Sequence, residues 1–131
     1  MPLSDGKRPS RGQPTTKARG DAAEDLALQY LQERGLRLVE RNYRTTGRGG
    51  GEIDLVMREA DGTLVFVEVR ARAETSHGGA GASIGAFKQR RIVFAARRYL
   101  LRWPSPPPCR FDVMLQEGGK LHWLRAAFDA G

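Results

Sequence analysis

The chain is predicted to fold as an α/β domain of the α+β kind, a mixed central β-sheet flanked by α-helices. Three observations point there. Two stretches carry apolar residues at helical spacing, and apolar β-favouring runs lie between and after them. An Asp61-Gly62 turn joins two of those runs, and Glu117-Gly118-Gly119 joins a later pair. The order is therefore helix, three strands, helix, two strands, without an internal repeat. With 131 residues, 40% of them hydrophobic and 28% charged, the chain supports one domain with a substantial core.

Residues 1–19 are rich in Pro, Gly, Ser and basic side chains, and they lack the apolar residues that would offset ordering entropy. They are expected to form a disordered basic tail, leaving residues 20–131 as the folded domain. From Asp21, a plausible cap, Ala23, Leu26, Ala27, Tyr30 and Leu31 recur at helical spacing, and Gly35 marks the stop. Glu24 falls at the edge of that apolar face. Leu36–Tyr43 reads as the first strand, with Leu36 and Leu38 on one face.

Residues 45–51 form a glycine-rich connection. No Gly-Lys-Ser/Thr follows it and the next element is a strand, so it is not a phosphate-binding P-loop. The second strand spans Glu52–Arg58 and the third Thr63–Arg72. Directly opposed residues in a hairpin share a face. A two-residue Asp61-Gly62 loop would oppose Asp54 to Val69, whereas a three-residue Ala60-Asp61-Gly62 loop opposes Asp54 to Glu68.

Residues 77–85 read as a mobile loop containing His77, a lone histidine that sits near the acidic strands. Phe87–Trp103 reads as a helix stopped by Pro104. Its apolar face holds Ile92, Val93, Ala96, Tyr99, Leu100 and Trp103, and Lys88, Arg91, Arg98 and Arg102 form a basic stripe beside it. Arg110–Gln116 and Lys120–Arg125 complete the strands.

Composition narrows the function. Net charge is +7, of which residues 1–19 hold a net +4, so the folded part is only modestly basic. A polyanionic partner suits that balance. No apolar run is long enough to span a membrane, and the N-terminus lacks the apolar core of a secretory signal. The lone Cys109 excludes an internal disulfide and a cysteine-based zinc site. The chain reads as cytoplasmic.

The chemistry lies in Gly51-Glu52-Ile53-Asp54-Leu55-Val56 and Val65-Phe66-Val67-Glu68-Val69-Arg70. Each places a carboxylate inside an apolar run, where burial costs several kcal/mol (order of magnitude) unless a cation compensates. Asp54 and Glu68, with the Val69 carbonyl, suit Mg²⁺ or Mn²⁺, which take hard oxygen ligands. Such a metal activates water and steadies charge on a phosphate oxygen. The same pattern also suits a cross-strand salt bridge to Arg70 or Arg72. At the level of the residues alone the two readings stand side by side.

Seven segments resemble the PD-(D/E)XK nuclease superfamily, and within it the small bacterial Holliday-junction-resolvase-like YraN family. They are Gly20-Asp21-Ala22-Ala23-Glu24-Asp25-Leu26-Ala27, Arg41-Asn42-Tyr43-Arg44, Gly51-Glu52-Ile53-Asp54-Leu55-Val56, Phe66-Val67-Glu68-Val69-Arg70-Ala71-Arg72, Lys88-Gln89-Arg90-Arg91, Arg110-Phe111-Asp112-Val113 and Ala127-Phe128. The resemblance implies a restriction-endonuclease-like core and a Mg²⁺- or Mn²⁺-dependent endonuclease acting on DNA, branched DNA included. It implies that Glu24, Asp54, Glu68 and Arg70 are catalytic and that Asp54, Glu68 and Val69 hold the metal. Arg70 stands where the superfamily has lysine; an arginine orients and stabilises but does not act as a base. Lys88 offers a mobile amine instead.

Arg44, Arg48, Arg72, Lys88, Arg91, Arg98 and Arg102 are the expected nucleic-acid contacts, made to the backbone rather than to bases. A homodimer suits an enzyme that cuts two symmetric strands. The alternative is a nucleic-acid-binding module on a nuclease fold that has lost catalysis, or, more weakly, an interaction adaptor whose acids form only salt bridges.

Overall fold

The computed structural model describes residues 16–72 and 84–130. Helix α1 (Thr16–Glu33) leads into strands β1 (Arg37–Arg44), β2 (Glu52–Arg58) and β3 (Leu64–Arg72). Helix α2 (Ala86–Leu100) then carries the chain to β4 (Cys109–Glu117) and β5 (Lys120–Phe128). The five strands form one sheet in the order β1-β2-β3-β4-β5. All neighbours are antiparallel except β3 and β4, which are parallel. A parallel pair needs a crossover, and α2 provides it.

The sheet is covered on both sides, which explains why β2 and β3 read as continuous apolar runs instead of alternating ones. On one face Ala27 and Leu31 of α1 pack with Leu36, Leu55, Met57, Val65, Val67 and Met114. On the other, Ile92, Ala95, Ala96 and Tyr99 of α2 pack with Ile53, Val56, Leu64, Phe66, Phe111 and Val113.

Helix α1 starts at Thr16, inside the stretch read as tail, and residues 1–15 lie outside the described region. Asp21 is consequently not a cap but a mid-helix residue paired with Lys17 at 3.2 Å. The stop does fall at Gly35, at φ 96°. Leu36 N–H donates to the Leu31 carbonyl and Gly35 N–H to that of Gln32, and Leu36 is buried against Leu31. This is the left-handed glycine cap of a Schellman motif, with its apolar contact. Leu26, on the apolar face read for the helix, is 43% exposed, and Leu38, read on one strand face with the buried Leu36, is 37% exposed. The buried stripe of α1 is narrower than the sequence suggested, running through Ala23, Ala27 and Leu31.

Helix α2 ends at Leu100, three residues before Trp103. Leu101, Arg102 and Trp103 each donate to the carbonyl three residues earlier, which tightens the chain out of the helix ahead of Pro104. The basic stripe therefore breaks up: Arg102 lies beyond the helix. The fifth strand continues past Arg125 to Phe128, through a register shift between Phe111 and Val113 and a positive φ of 50° at Ala126. Asp112 sits at that bulge, fully buried. It accepts hydrogen bonds from Arg110 Nε, Trp123 Nε1 and the Ala126 N–H at 2.9–3.1 Å, so the buried charge is fully partnered.

A candidate acidic site where two strands part

The β2–β3 hairpin settles the parity question. Leu55 pairs with Val67, Met57 with Val65 and Arg58 with Leu64, a register that, carried one step past its last pair, sets Asp54 across from Glu68. The turn is the three-residue one: Glu59 N–H donates to the Thr63 carbonyl, Gly62 N–H to that of Glu59, and Gly62 takes φ 95°. Only a residue without Cβ adopts that conformation cheaply.

Since Glu59 and Thr63 form a hydrogen-bonded pair, alternation makes 57/65, 55/67 and 53/69 the next such pairs. A regular ladder would send the Val69 N–H to the Ile53 carbonyl. Instead it donates to Asp54 Oδ2 at 2.8 Å. A side chain replaces the backbone rung where the two strands part.

Asp54 can do this because β2 turns over at that point. Leu55 packs on the α1 side, and its partner Arg41 reaches Glu24 and Asp25 of α1. Ile53 packs on the α2 side, and its partner Tyr43 lies edge-on to Tyr99 of α2 at 5.1 Å. Residues two apart in a strand normally share a face. Between Arg41 and Tyr43 stands Asn42 at φ 57°, a left-handed conformation that asparagine tolerates better than most residues. Both strands reverse at the Asn42–Asp54 level, which leaves the Asp54 carboxylate directed along the sheet toward β3.

Three layers meet there. Glu68, on the face of β3 shared with Leu64 and Phe66, ion-pairs through Oε2 with Lys88 Nζ of α2 at 3.5 Å. From the opposite layer Glu24 accepts a hydrogen bond from Arg41 Nε at 3.3 Å and one from the Asn42 amide. Arg41 also bonds Asp25 at 2.7 Å and the Asp21 carbonyl at 3.4 Å, so it fastens α1 to β1 and orients Glu24.

The electrostatics follow from this crowding. Burial, then the nearby Glu68 charge, push the Asp54 carboxyl up to about 7, against the Val69 N–H, which favours the anion. Glu68 is raised by burial, opposed by Lys88, by its hydrogen bond with Asp54 and by Arg70. The pair therefore favours protonation more than two free carboxyls do. Glu24 is raised by burial and by the charge of Asp54, with Arg41 opposing. Among the described residues no three His, Cys, Asp or Glu side chains converge at metal-ligating spacing. The core of the constellation is the pair Asp54–Glu68, and Glu24 acts on it through charge.

The other expected residues scatter. Arg70 and Arg72 lie on β3 beyond Glu68, both half-buried. Arg44 is exposed and sits 3.6 Å from Glu52. Arg48 is exposed in the glycine loop. Arg91 Nε donates to the Gly50 carbonyl at 2.6 Å and so anchors that loop to α2. Arg98 lies over Phe94, 5.9 Å from its centroid. Arg102 bonds Glu40 at 3.1 Å and covers the Tyr99 ring, a role in packing. His77 lies outside the described residues. Arg41 and Asn42 are the residues that reading by periodicity missed; only their place in a matching motif marked them.

The family model described as "Uncharacterised protein family UPF0102" matches residues 23–115. A UPF0102 protein of Paracidovorax citrulli is 73% identical over 117 residues, covering 89% of this chain and 87% of that protein. One of an Acidovorax species is 68% identical over 125 residues, 95% and 92% of the two chains. One of a Polaromonas species is 63% identical over 138 residues, 98% and 93%. The match takes in Glu24, Asp54, Glu68, Arg70 and Lys88. No helix among the described residues is long and apolar enough to cross a membrane.

Proposed function

The chain belongs to the UPF0102 family, which is the YraN family, and we propose that it is a metal-dependent endonuclease that hydrolyses phosphodiester bonds in DNA, branched DNA included. The observation that carries this reading is the opposed pair Asp54–Glu68. Two half-buried carboxyls sit together at the open end of a hairpin, and loss of solvent followed by the charge of Glu68 pushes Asp54 up to about 7. Structural ion pairs are usually built the other way, with each acid lowered by its cation. Two adjacent acids both raised by loss of solvent are relieved by a divalent cation.

The residues fit such an ion. Asp54, Glu68 and the Val69 carbonyl are hard oxygen donors grouped on adjacent strands, and two carboxylates leave most positions to water, as Mg²⁺ or Mn²⁺ prefers. Once bound, the metal supplies Lewis-acid stabilisation of a phosphate oxygen and a more acidic water.

The protein's own groups do the rest. Glu24, held by Arg41 and Asn42, keeps a second negative charge behind Asp54. The Val69 N–H fixes the Asp54 carboxylate in place. Arg70 and Lys88 flank Glu68 and supply fixed positive charge toward a scissile phosphate. Arg44, Arg48, Arg72 and Arg91 lie on the elements around the acids and would hold flanking phosphates.

A second reading rests on one specific feature. Because position 70 is arginine and Lys88 already neutralises part of the acid pair, the fold could bind nucleic acid without cutting it. Labelled linear and four-way-junction DNA, incubated with Mg²⁺ or Mn²⁺, separate the two. The nuclease reading expects wild type to cut, and Asp54→Ala and Glu68→Gln to lose at least roughly a hundredfold in rate, the order seen when a metal or electrostatic group is removed. Junction binding without scission in either metal would refute the nuclease and leave the binding module.

A further inference from the structure

Helix α2 opens with an aromatic ring in solvent: Phe87 is 65% exposed, next in sequence to the Lys88 that pairs with Glu68. Single exposed apolar residues are ordinary. The surroundings of this one are not. The guanidinium carbons of Arg90 and Arg91 lie 5.9 and 5.7 Å from its ring centroid. The ring walls a groove of about 380 Å³, within the roughly 300–1,000 Å³ of small-ligand clefts. Thr45, Gly47, Gly49 and Gly50 form the facing wall.

That facing wall is fixed backbone rather than side chain. Gly51 N–H donates to Thr45 Oγ1 at 2.8 Å, Thr45 N–H donates to the Gly51 carbonyl at 3.0 Å, and Arg91 holds the Gly50 carbonyl. Gly47 and Gly49 take φ 88° and 78°. The groove thus has hydrogen-bonded backbone on one side and the Phe87 ring on the other. At the start of α2 the first intrahelical backbone bond is Gln89 N–H to the Gly85 carbonyl. Gly85 supplies no side-chain cap and the first turn has no acid, so the helix presents its positive end beside the ring.

An apolar face, a rim of guanidinium groups and a positive helix end are together what a nucleotide needs: a surface for the base and donors for its phosphate. A protein partner would want a wider apolar patch than one ring. Bases inside a duplex are already stacked and paired, so only an unpaired nucleotide can lie on Phe87.

We propose that Phe87 and the Thr45–Gly50 loop form a stacking pocket for one unpaired nucleotide next to the bond held at Asp54 and Glu68, so that the substrate class is nucleic acid with unpaired bases at the cleavage point. This rests on the nuclease reading for the placement of the acids, but the pocket itself is tested without cleavage.

The test uses the full chain, with Ca²⁺ or EDTA in place of Mg²⁺, and DNA carrying 2-aminopurine either at an unpaired branch position or within a continuous duplex. Wild type is expected to quench the unpaired probe by stacking and to leave the duplex probe unchanged. Phe87→Ala should lose that quench and bind the unpaired-site DNA roughly 5- to 50-fold more weakly, with Phe87→Trp restoring both. The loss on continuous duplex should be much smaller. Since Phe87 is exposed, the melting curve of Phe87→Ala should match wild type, which separates lost stacking from misfolding.

Equal quenching by wild type and Phe87→Ala would overturn the pocket while leaving the nuclease reading intact. So would a wild-type dimer that Phe87→Ala turns to monomer without any fluorescence change, since the ring would then serve a second copy of the chain. Quenching that depends on Phe87 in a protein that never cuts would sustain the pocket and refute only the nuclease.

Discussion

Asparagine at position 54 keeps an oxygen for the Val69 N–H but removes a half-buried, poorly solvated charge, so Asp54→Asn is expected to stabilise the chain above neutral pH while it disables the acid pair. A carboxyl moved from 3.8 to about 7 is favoured in its protonated form by the folded state. The stability it contributes is complete below the unfolded value and is lost as pH rises through about 7. At 1.36 kcal/mol per pH unit the full displacement is on the order of 4 kcal/mol. Because Glu68 and Asp54 titrate against each other, about 2–4 kcal/mol is the range to expect from this one position.

Chemical denaturation between pH 4.5 and 8.5 reads this directly. The free-energy gap between Asp54→Asn and wild type should be small at the acid end and widen in favour of the variant toward pH 8. By then it should reach about 2–4 kcal/mol, or roughly 10 °C in melting temperature for a domain of this size. Added Mg²⁺ or Mn²⁺ at pH 8 should raise wild type and leave the variant unmoved, which narrows the gap, because a ligand stabilises only the state that binds it. A gap that stays flat from pH 5 to 8, or a variant that weakens with pH as steeply as wild type, would refute the crowded-pair account.

Two further substitutions test the frame around the site. Gly51→Ala should cost about 2–3 kcal/mol in denaturant unfolding, since a Cβ there would lie 2.8 Å from the Arg91 carbonyl carbon and closer still to its oxygen; Gly119→Ala, with nothing within 4 Å of the added carbon, is the control. Asp112→Ala should cost about 3–5 kcal/mol, because it strands the Arg110 guanidinium, the Trp123 indole N–H and the Ala126 N–H together. Trp123 fluorescence against denaturant measures it at a residue that loses its partner.

How much of this was legible in the sequence depended on how local the signal was. The bounds of β2 and the glycine stop of α1 are each set by a few adjacent residues, and each could be read directly. The turn at Asp61-Gly62 was equally plain in place but not in length, so the partner of Asp54 stayed open between Val69 and Glu68 until the register fixed it. The start of α1 could not, since Thr16–Gly20 has no apolar periodicity to mark it. Leu26 and Leu38 fit an apolar pattern yet face solvent, because a helix or strand buries only the face its neighbour covers. Arg98 and Arg102 fit a basic stripe on paper, but a helix end at Leu100 and the pull of Glu40 and Tyr99 take Arg102 elsewhere. Arg41 and Asn42 act across elements, and no spacing within one element announces that.

The acid site is built from departures from regular structure, and that explains why its residues are so exposed to one another. Had β1 and β2 kept strict alternation, Asp54 would have pointed into the α2 face with Val56, against the apolar cluster of Phe66 and Tyr99. The left-handed Asn42 turns both strands over at that level, and Asp54 takes the Val69 rung instead. Arg41, opposite Leu55 just before the reversal, keeps to the α1 side, where it sets Glu24 behind the pair. The backbone conformation at Asn42 therefore governs the direction of the first strand acid, and its neighbour Arg41 the position of the helix acid. Asn42→Gly, which tolerates φ 57° at no steric cost, should preserve the reversal but remove the amide that Glu24 accepts from, whereas Asn42→Val should strain the backbone itself. If the site depends on the reversal, the valine variant should lose the pH-dependent stability signature of Asp54 and the glycine variant should keep it. Equal pH profiles for the two variants would show that Asp54 finds its place without Asn42.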